Sequence, residues 1–112
     1  MSSQYNLAIQ QNATYQLDGQ WIADGVPVDL TTWTLAAQVR ASPTSSTVLY
    51  DLSPTVTVAA EGRWQILIPD EISLAWAWSR GVWDLRAEAS GDGQAVRLLS
   101  GSVEVSPAVT RT

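Results

Sequence analysis

Carboxylates are the first candidates for chemistry in this sequence. Glu71 follows Asp70 directly, and Glu88 follows Asp84 by four positions, so either pair could nominally supply the two acids of a glycoside hydrolase. Neighbouring residues on a strand point to opposite faces, however, and a sheet protein of 112 residues has little room for a cleft. We therefore expect neither pair to be catalytic.

Four other aspartates lie in or beside glycine-containing turns: Asp18, Asp24, Asp29 and Asp92. A calcium site needs several oxygen ligands that converge on one loop, and the spacing of an EF-hand is absent. Aspartate is also common in turns because its side chain bonds the backbone two residues further on. The sequence predicts turn residues here and no metal site.

The chain contains neither histidine nor cysteine. This composition removes the commonest catalytic base, the usual ligand of transition metals and every thiolate. All six cations are arginines, so the serines and threonines have no lysine or histidine to activate them, and no glycine-rich phosphate loop is present. We expect a protein that is not an enzyme and has no cofactor.

The net charge of −5 argues against two classes of partner. Nucleic acids and anionic membranes are bound by basic patches, and the six arginines are scattered along the chain. No apolar window reaches the length of a membrane span, and the first residues do not resemble a signal peptide. The sequence favours a soluble protein that is made in the cytoplasm and binds neither nucleic acid nor membrane.

Short runs of Val, Ile, Leu, Thr, Tyr and Trp recur every eight to twelve residues or so, with turn-forming residues between them. This spacing is typical of an antiparallel sandwich. The length predicts one domain, 1–112, with a core over about 5–106 and a loose tail at 107–112. Seven strands are expected at 5–9, 13–22, 33–41, 47–58 with an interruption at Pro54, 63–68, 82–89 and 95–105.

Alternation within the strands indicates which side chains are buried, because successive side chains point to opposite faces. Trp33, Trp64 and Trp83 alternate in phase with aliphatic residues, so we expect all three in the core. Trp21 is expected to cap one end of the sandwich. Gly101, inside a strand, predicts a bulge or a close backbone approach.

The segment from Asp70 to Trp78 breaks this pattern. Asp70 follows a proline and is a candidate N-cap for a short helix that crosses between the sheets. Ile72, Ala75 and Trp76 would line one side of that helix. Two residues of helix correspond to a rotation of about 200°, so Trp76 and Trp78 cannot share a face and one of them should point outward.

An outward indole in this segment would be flanked by serine and arginine. Tryptophan and arginine are enriched where protein interfaces are strongest. The sequence therefore predicts a protein interface that includes Ile72, Trp76, Trp78 and Arg80.

The order of segments resembles a known family. The "PVDLT-x-W" entry to a strand, the "G-x-W-D-L" strand after a helical crossing and the closing "RLLSGSVEVSP" strand are similar to small immunoglobulin-like β-sandwich proteins of tailed-phage and prophage tails, baseplates and fibres. The resemblance covers residues 10–110. It implies an all-β, immunoglobulin-like antiparallel sandwich with one short helical crossing turn.

The resemblance also implies a virion structural protein that contacts other phage structural proteins and copies of itself. Two alternatives stay open. A carbohydrate-binding sandwich would stack exposed, coplanar aromatic rings on sugars, and a capsid decoration protein would differ from a tail module only in its location.

Overall fold

The computed structural model describes residues 3–91 and 93–109, and it consists mainly of β-strands. In chain order the strands are β1 (Ser3–Gln4), β2 (Leu7–Gln10), β3 (Tyr15–Gln20), β4 (Ile22–Ala23), β5 (Val26–Pro27), β6 (Trp33–Arg40), β7 (Val48–Asp51), β8 (Thr55–Val58), β9 (Arg63–Ile68), β10 (Arg80–Ala89) and β11 (Ala95–Ser106). A 3-10 helix, Ala59–Glu61, precedes β9, and an α-helix, α1 (Asp70–Leu74), joins β9 to β10.

The strands form a large sheet, a small sheet and a hairpin. In the large sheet β10 pairs antiparallel with β11 and β6, β6 pairs with β7, and β1 and β2 run parallel to the other edge of β11. The small sheet has the antiparallel order β3-β9-β8, and β4 pairs with β5. The predicted all-β sandwich is confirmed.

The structure has eleven strands in its described residues where the sequence predicts about seven. The predicted segment 47–58 is divided between the two sheets, since β7 belongs to the large sheet and β8 to the small one. Leu52 is buried at the crossing, and Ser53 has a positive φ of 46°. The expected interruption at Pro54 is therefore a change of sheet. The short strands β1, β4 and β5 account for the remaining difference.

The core lies between the two sheets, and tryptophans contribute its largest side chains. Trp64 and Trp83 are buried on the inner faces of β9 and β10, as their alternation predicts. Trp33 is half-buried at the start of β6 and packs against this core, as does Trp21. The other core residues are mainly aliphatic: Leu7, Ile9, Leu30, Ala37, Val39, Leu52, Ile66, Ile68, Leu85, Val103 and Val105.

Trp83 on β10 is hydrogen-bonded to the chain between β1 and β2, at a point where that chain also lies close to β11. Its indole Nε1 donates to the carbonyl oxygen of Tyr5, at 2.7 Å, where the chain passes between β1 and β2. Gly101 on β11 lies under the same peptide, and a Cβ there would collide with the Tyr5 carbonyl. The close approach predicted for Gly101 is confirmed. The register shift between β10 and β11 lies elsewhere, between Leu85 and Arg86 of β10, opposite Leu98.

The end of the described chain is held more firmly than the expected loose tail. Ala108 is buried, and its backbone N–H donates to Gln11 Oε1 at 2.9 Å. Ala108 is therefore packed and hydrogen-bonded, which differs from the loose tail expected at 107–112. Residues 110–112 and Asp92, with its predicted turn role, lie outside the described residues.

We expect Trp83→Ala to lower the free energy of unfolding by about 3 to 5 kcal/mol, because it empties a core site and removes the bond to Tyr5. Denaturant unfolding followed by circular dichroism measures the change. Arg86→Ala, an exposed change on the same strand, is the matched control and should stay within about 0.5 kcal/mol. Equal stabilities for the two variants would contradict the role given to Trp83.

Candidate interaction site

Helix α1 begins where β9 can no longer continue. Pro69 follows the strand and occupies the N-cap with extended backbone angles, φ −62° and ψ 150°, and no side chain caps the helix. Asp70 is the first helical residue, so its predicted N-cap role is wrong. Asp70 and Glu71 still lie in the first turn, where the positive end of the helix favours carboxylates. The predicted short helical crossing from the small sheet to the large sheet is confirmed.

The helix turns a polar residue toward the interior. Ser73 is fully buried, whereas Ile72 and Ala75 are exposed. Trp76, expected on the same side of the helix as Ile72 and Ala75, lies beyond the helix end at Leu74 and is half-buried. The Ser73 hydroxyl accepts a hydrogen bond from the backbone N–H of Asn12, at 3.0 Å, and donates to the carbonyl oxygen of Asp70, at 3.2 Å. These bonds satisfy a hydroxyl that would otherwise be costly to bury.

Gln11 connects three separate parts of the chain at this site. Its Nε2 donates to the carbonyl oxygens of Leu74 and Trp76, both at 3.2 Å, and its Oε1 accepts from the N–H of Ala108. The last carbonyls of a helix have no partner within the helix, and Gln11 supplies one. We call Gln11, Asn12 and Ser73 the polar cluster. Sequence reasoning missed it, because the hydrogen bonds from Gln11 and Asn12 to the helix segment span 61 or more positions and leave no local signal.

Three aromatic rings, Tyr50, Trp76 and Trp78, pack together next to the polar cluster, and we call this group the aromatic stack. The Trp76 and Trp78 rings are stacked at 4.5 Å with an interplanar angle of 27°, and Tyr50 lies 5.0 Å from Trp76. Both indoles are half-buried and pack against the core. The expectation that one of them points outward is wrong, because α1 ends at Leu74 and the following residues are not helical.

Burial in the aromatic stack affects the polar atoms of two rings. Desolvation raises the pKa of the Tyr50 hydroxyl, and the neighbouring charge of Asp51 adds to the effect. Trp78 Nε1 is buried and has no hydrogen-bond partner among the described residues. A buried donor without an acceptor costs about 1 to 3 kcal/mol. The stack therefore contributes apolar packing and one unsatisfied polar group.

The predicted interface residues differ in exposure. Ile72 is 37% exposed, and the Arg80 side chain is 84% exposed with Glu104 at 4.0 Å. Trp76 and Trp78 lie between them in the sequence and form the half-buried aromatic stack with Tyr50. In sequence, the two exposed side chains therefore flank the two half-buried tryptophans of the aromatic stack.

Asp84 and Glu88, one of the two candidate pairs of catalytic carboxylates, form ion pairs with different arginines. Asp84 lies 3.4 Å from Arg97, and Glu88 lies 3.1 Å from Arg86, so each of these acids has its own arginine. Within residues 3–91 and 93–109 no three acidic side chains form a group that could hold a metal ion. No helix in that part of the chain is long and apolar enough to cross a membrane.

The fold and this site define a small β-sandwich with an aromatic stack packed against its core. No family model matches the chain, and no curated protein matches it. Among solved structures it is similar to the N-terminal domain of phage TP901-1 ORF48, with 11% sequence identity and a TM-score of 0.53. The match covers 93% of this chain and 97% of that domain. At this identity the likeness shows a shared fold.

Gln11→Ala should lower the free energy of unfolding by about 2 to 3 kcal/mol, because three hydrogen bonds disappear together. The neighbouring Gln10 has an exposed side chain, so Gln10→Ala is the matched control and should change stability by less than about 0.5 kcal/mol. Urea unfolding measures both variants. If Gln11→Ala were no worse than Gln10→Ala, the polar cluster would not hold α1 in place.

Proposed function

We propose that this protein is a non-enzymatic structural component of a tailed-phage or prophage virion, where it makes protein contacts in the tail, baseplate or fibre. The observation that carries the proposal is the fold shared with a phage protein domain over 93% of this chain and 97% of that domain. The sequence resemblance to phage tail, baseplate and fibre sandwiches supports the same conclusion from different evidence.

The distribution of aromatic side chains favours protein contact over sugar binding. A carbohydrate-binding sandwich requires aromatic rings in line on an open face, with their flat sides accessible. All six tryptophans of this chain are instead buried or half-buried, and Trp21 and Trp33 meet edge to face at 4.9 Å, away from the aromatic stack. The alternative of a capsid decoration protein agrees with the same fold and differs in location.

The segment 72–80 is the proposed contact surface within the virion. Ile72 and Arg80 are exposed, and the aromatic stack of Tyr50, Trp76 and Trp78 supports the backbone between them. A backbone that is already held by packing loses less conformational entropy when a partner binds than a free loop does. Exposed apolar and arginine side chains over an aromatic support match the composition of strong interface sites.

Mass spectrometry of purified virions, followed by localisation in a reconstructed particle, tests the proposed function. We expect the protein to be present in particles at a stoichiometry that matches the symmetry of the tail. Density on the capsid shell would favour the decoration protein instead. Absence from purified particles of the phage that encodes it would contradict a virion role.

Ile72→Asp should reduce incorporation into particles while it leaves the fold intact, because it places a charge in the contact surface without touching the core. Substitution of Trp76 or Trp78 is less informative, since both rings also stabilise the domain. Val26→Asp, an exposed apolar residue on the β4–β5 hairpin, is the matched control. We expect an association loss of at least about 2 kcal/mol for the Ile72 variant alone. Equal incorporation of both variants would place the interface elsewhere.

A further inference from the structure

The edges of the two sheets differ in how they are protected. β7 and β8 have four residues each, and each carries a register shift against its neighbouring strand. β1 and β2 are separated by two residues that belong to neither strand. Short, irregular or interrupted edges of this kind prevent pairing with another chain.

Strand β3 lacks these protections. It has six residues and pairs with β9 from Tyr15 to Gln20 without a register shift. Its other edge pairs with no strand in the described part of the chain. A regular, unpaired edge presents backbone donors and acceptors that can extend the sheet by one strand.

We propose that β3 pairs antiparallel with β3 of a second copy of this chain, about a twofold axis through Leu17, so that two small sheets become one six-stranded sheet. This inference goes beyond the proposed function and does not depend on it, because it concerns the strand edge and not the location of the protein.

The side chains of β3 select this register. Opposite residues on antiparallel strands point to the same face of the sheet. A twofold axis between two copies of β3 must therefore lie where one residue faces its own copy, and we name each register by that residue. With Leu17 on the axis, five residues of each strand overlap, and Gln16 lies opposite Asp18 of the second copy. An axis through Asp18 would place two carboxylates directly opposite each other, which is destabilising. Axes through Gln16 or Gly19 leave only three residues of overlap.

The outer face of β3 already contains the groups that this register would join. Asp18 and Gln16 are exposed, and the Gln16 Nε2 donates to Asp18 Oδ2 of the same chain at 3.0 Å. Asp18 Oδ1 accepts from Gln65 Nε2 at 3.1 Å. Each carboxylate oxygen can accept more than one hydrogen bond, so the amide of Gln16 from the second copy can be accommodated.

The inner face is also complementary in this register. Tyr15 lies opposite Gly19 of the second copy, and Gly19 is covered by the Trp64 ring, since a Cβ there would collide with that ring. The Tyr15 ring of the second copy would therefore pack beside the Trp64 ring, which already fills the space above Gly19. Leu17 would contact its own symmetry mate at the axis.

Charge changes at position 16 test the proposal by sedimentation equilibrium over a range of concentrations. Gln16→Asp places a carboxylate opposite Asp18 and should weaken dimerisation, whereas Gln16→Lys should strengthen it. Two symmetric pairs per dimer predict a change of roughly 2- to 30-fold in Kd. Combining Gln16→Asp with Asp18→Gln restores an acid opposite an amide and should return Kd to the wild-type value.

Thr57→Asp and Thr57→Lys are the matched controls, because Thr57 is exposed on β8, the opposite edge of the same sheet. They change the net charge equally and should leave Kd unchanged. Gln16→Asp could lower the melting temperature, because it removes the bond from Gln16 to Asp18 of the same chain. Gln16→Lys then still tests the proposal, because its ammonium can pair with that Asp18 and keep the monomer stable. A wild-type chain that stays monomeric at every concentration overturns the proposal, and so does a dimer insensitive to the charge at position 16.

The register can be tested directly because the chain has no cysteine of its own. Residues opposite each other on antiparallel strands have Cα atoms about 4.5 to 5.5 Å apart, which suits a disulfide. A mixture of Gln16→Cys and Asp18→Cys should therefore oxidise to the mixed dimer in preference to either homodimer. The same mixture of Thr55→Cys and Thr57→Cys on β8 should give no preference. Homodimers alone from the β3 pair would overturn the register, and a dimer absent from virions would count against the proposed function only.

Discussion

The unequal width of the two sheets is the constraint on which the rest of this structure depends. The large sheet is five strands wide, because β1 and β2 share one edge of β11, and the small sheet is three strands wide, so the small sheet cannot cover the inner face of the large one by itself. Tryptophans make up the difference in a chain that has no phenylalanine. Trp21 meets Trp33 where β6 begins, and the stack of Tyr50, Trp76 and Trp78 packs where β7 pairs with the other half of β6. Large rings do here what additional strands would do in a wider sandwich.

Closure at the second of these places depends on polar contacts as much as on apolar ones. A helix of five residues has no stability of its own, so α1 exists because the tertiary structure holds it. Ser73 and Gln11 fix the helix in place by hydrogen bonds to backbone groups. Ser73 accepts from Asn12 in the turn after β2, and Gln11 bonds Leu74 at the helix end and Ala108 after β11. The aromatic stack follows directly after this anchored helix, and its position is therefore set by hydrogen bonds that lie outside the core.

Local patterns predicted the parts of this fold that local physics determines. The burial of Trp64 and Trp83 follows from the alternation of side chains along each strand. The close backbone approach at Gly101 follows from the absence of a side chain there. The change of sheet after β7, the stack of Trp76 on Trp78 and the role of Gln11 could not be predicted in this way. Each depends on contacts between residues far apart in sequence. The prediction of Asp70 as the N-cap was wrong for a local reason, since Pro69 already supplies the extended geometry that Asp70 was expected to adopt.

The similarity to a phage domain at 11% identity follows from the same distinction. A sandwich is specified by alternation, by turns and by a few positions where only glycine fits, and many sequences meet these conditions. The side chains that face outward are under no such constraint, so they can diverge while the fold persists. What distinguishes one such domain from another must then lie in its exposed surface and in its sheet edges. In this chain the candidates for such features are the proposed contact surface at 72–80, which joins the two sheets, and the regular edge of β3 in the small sheet.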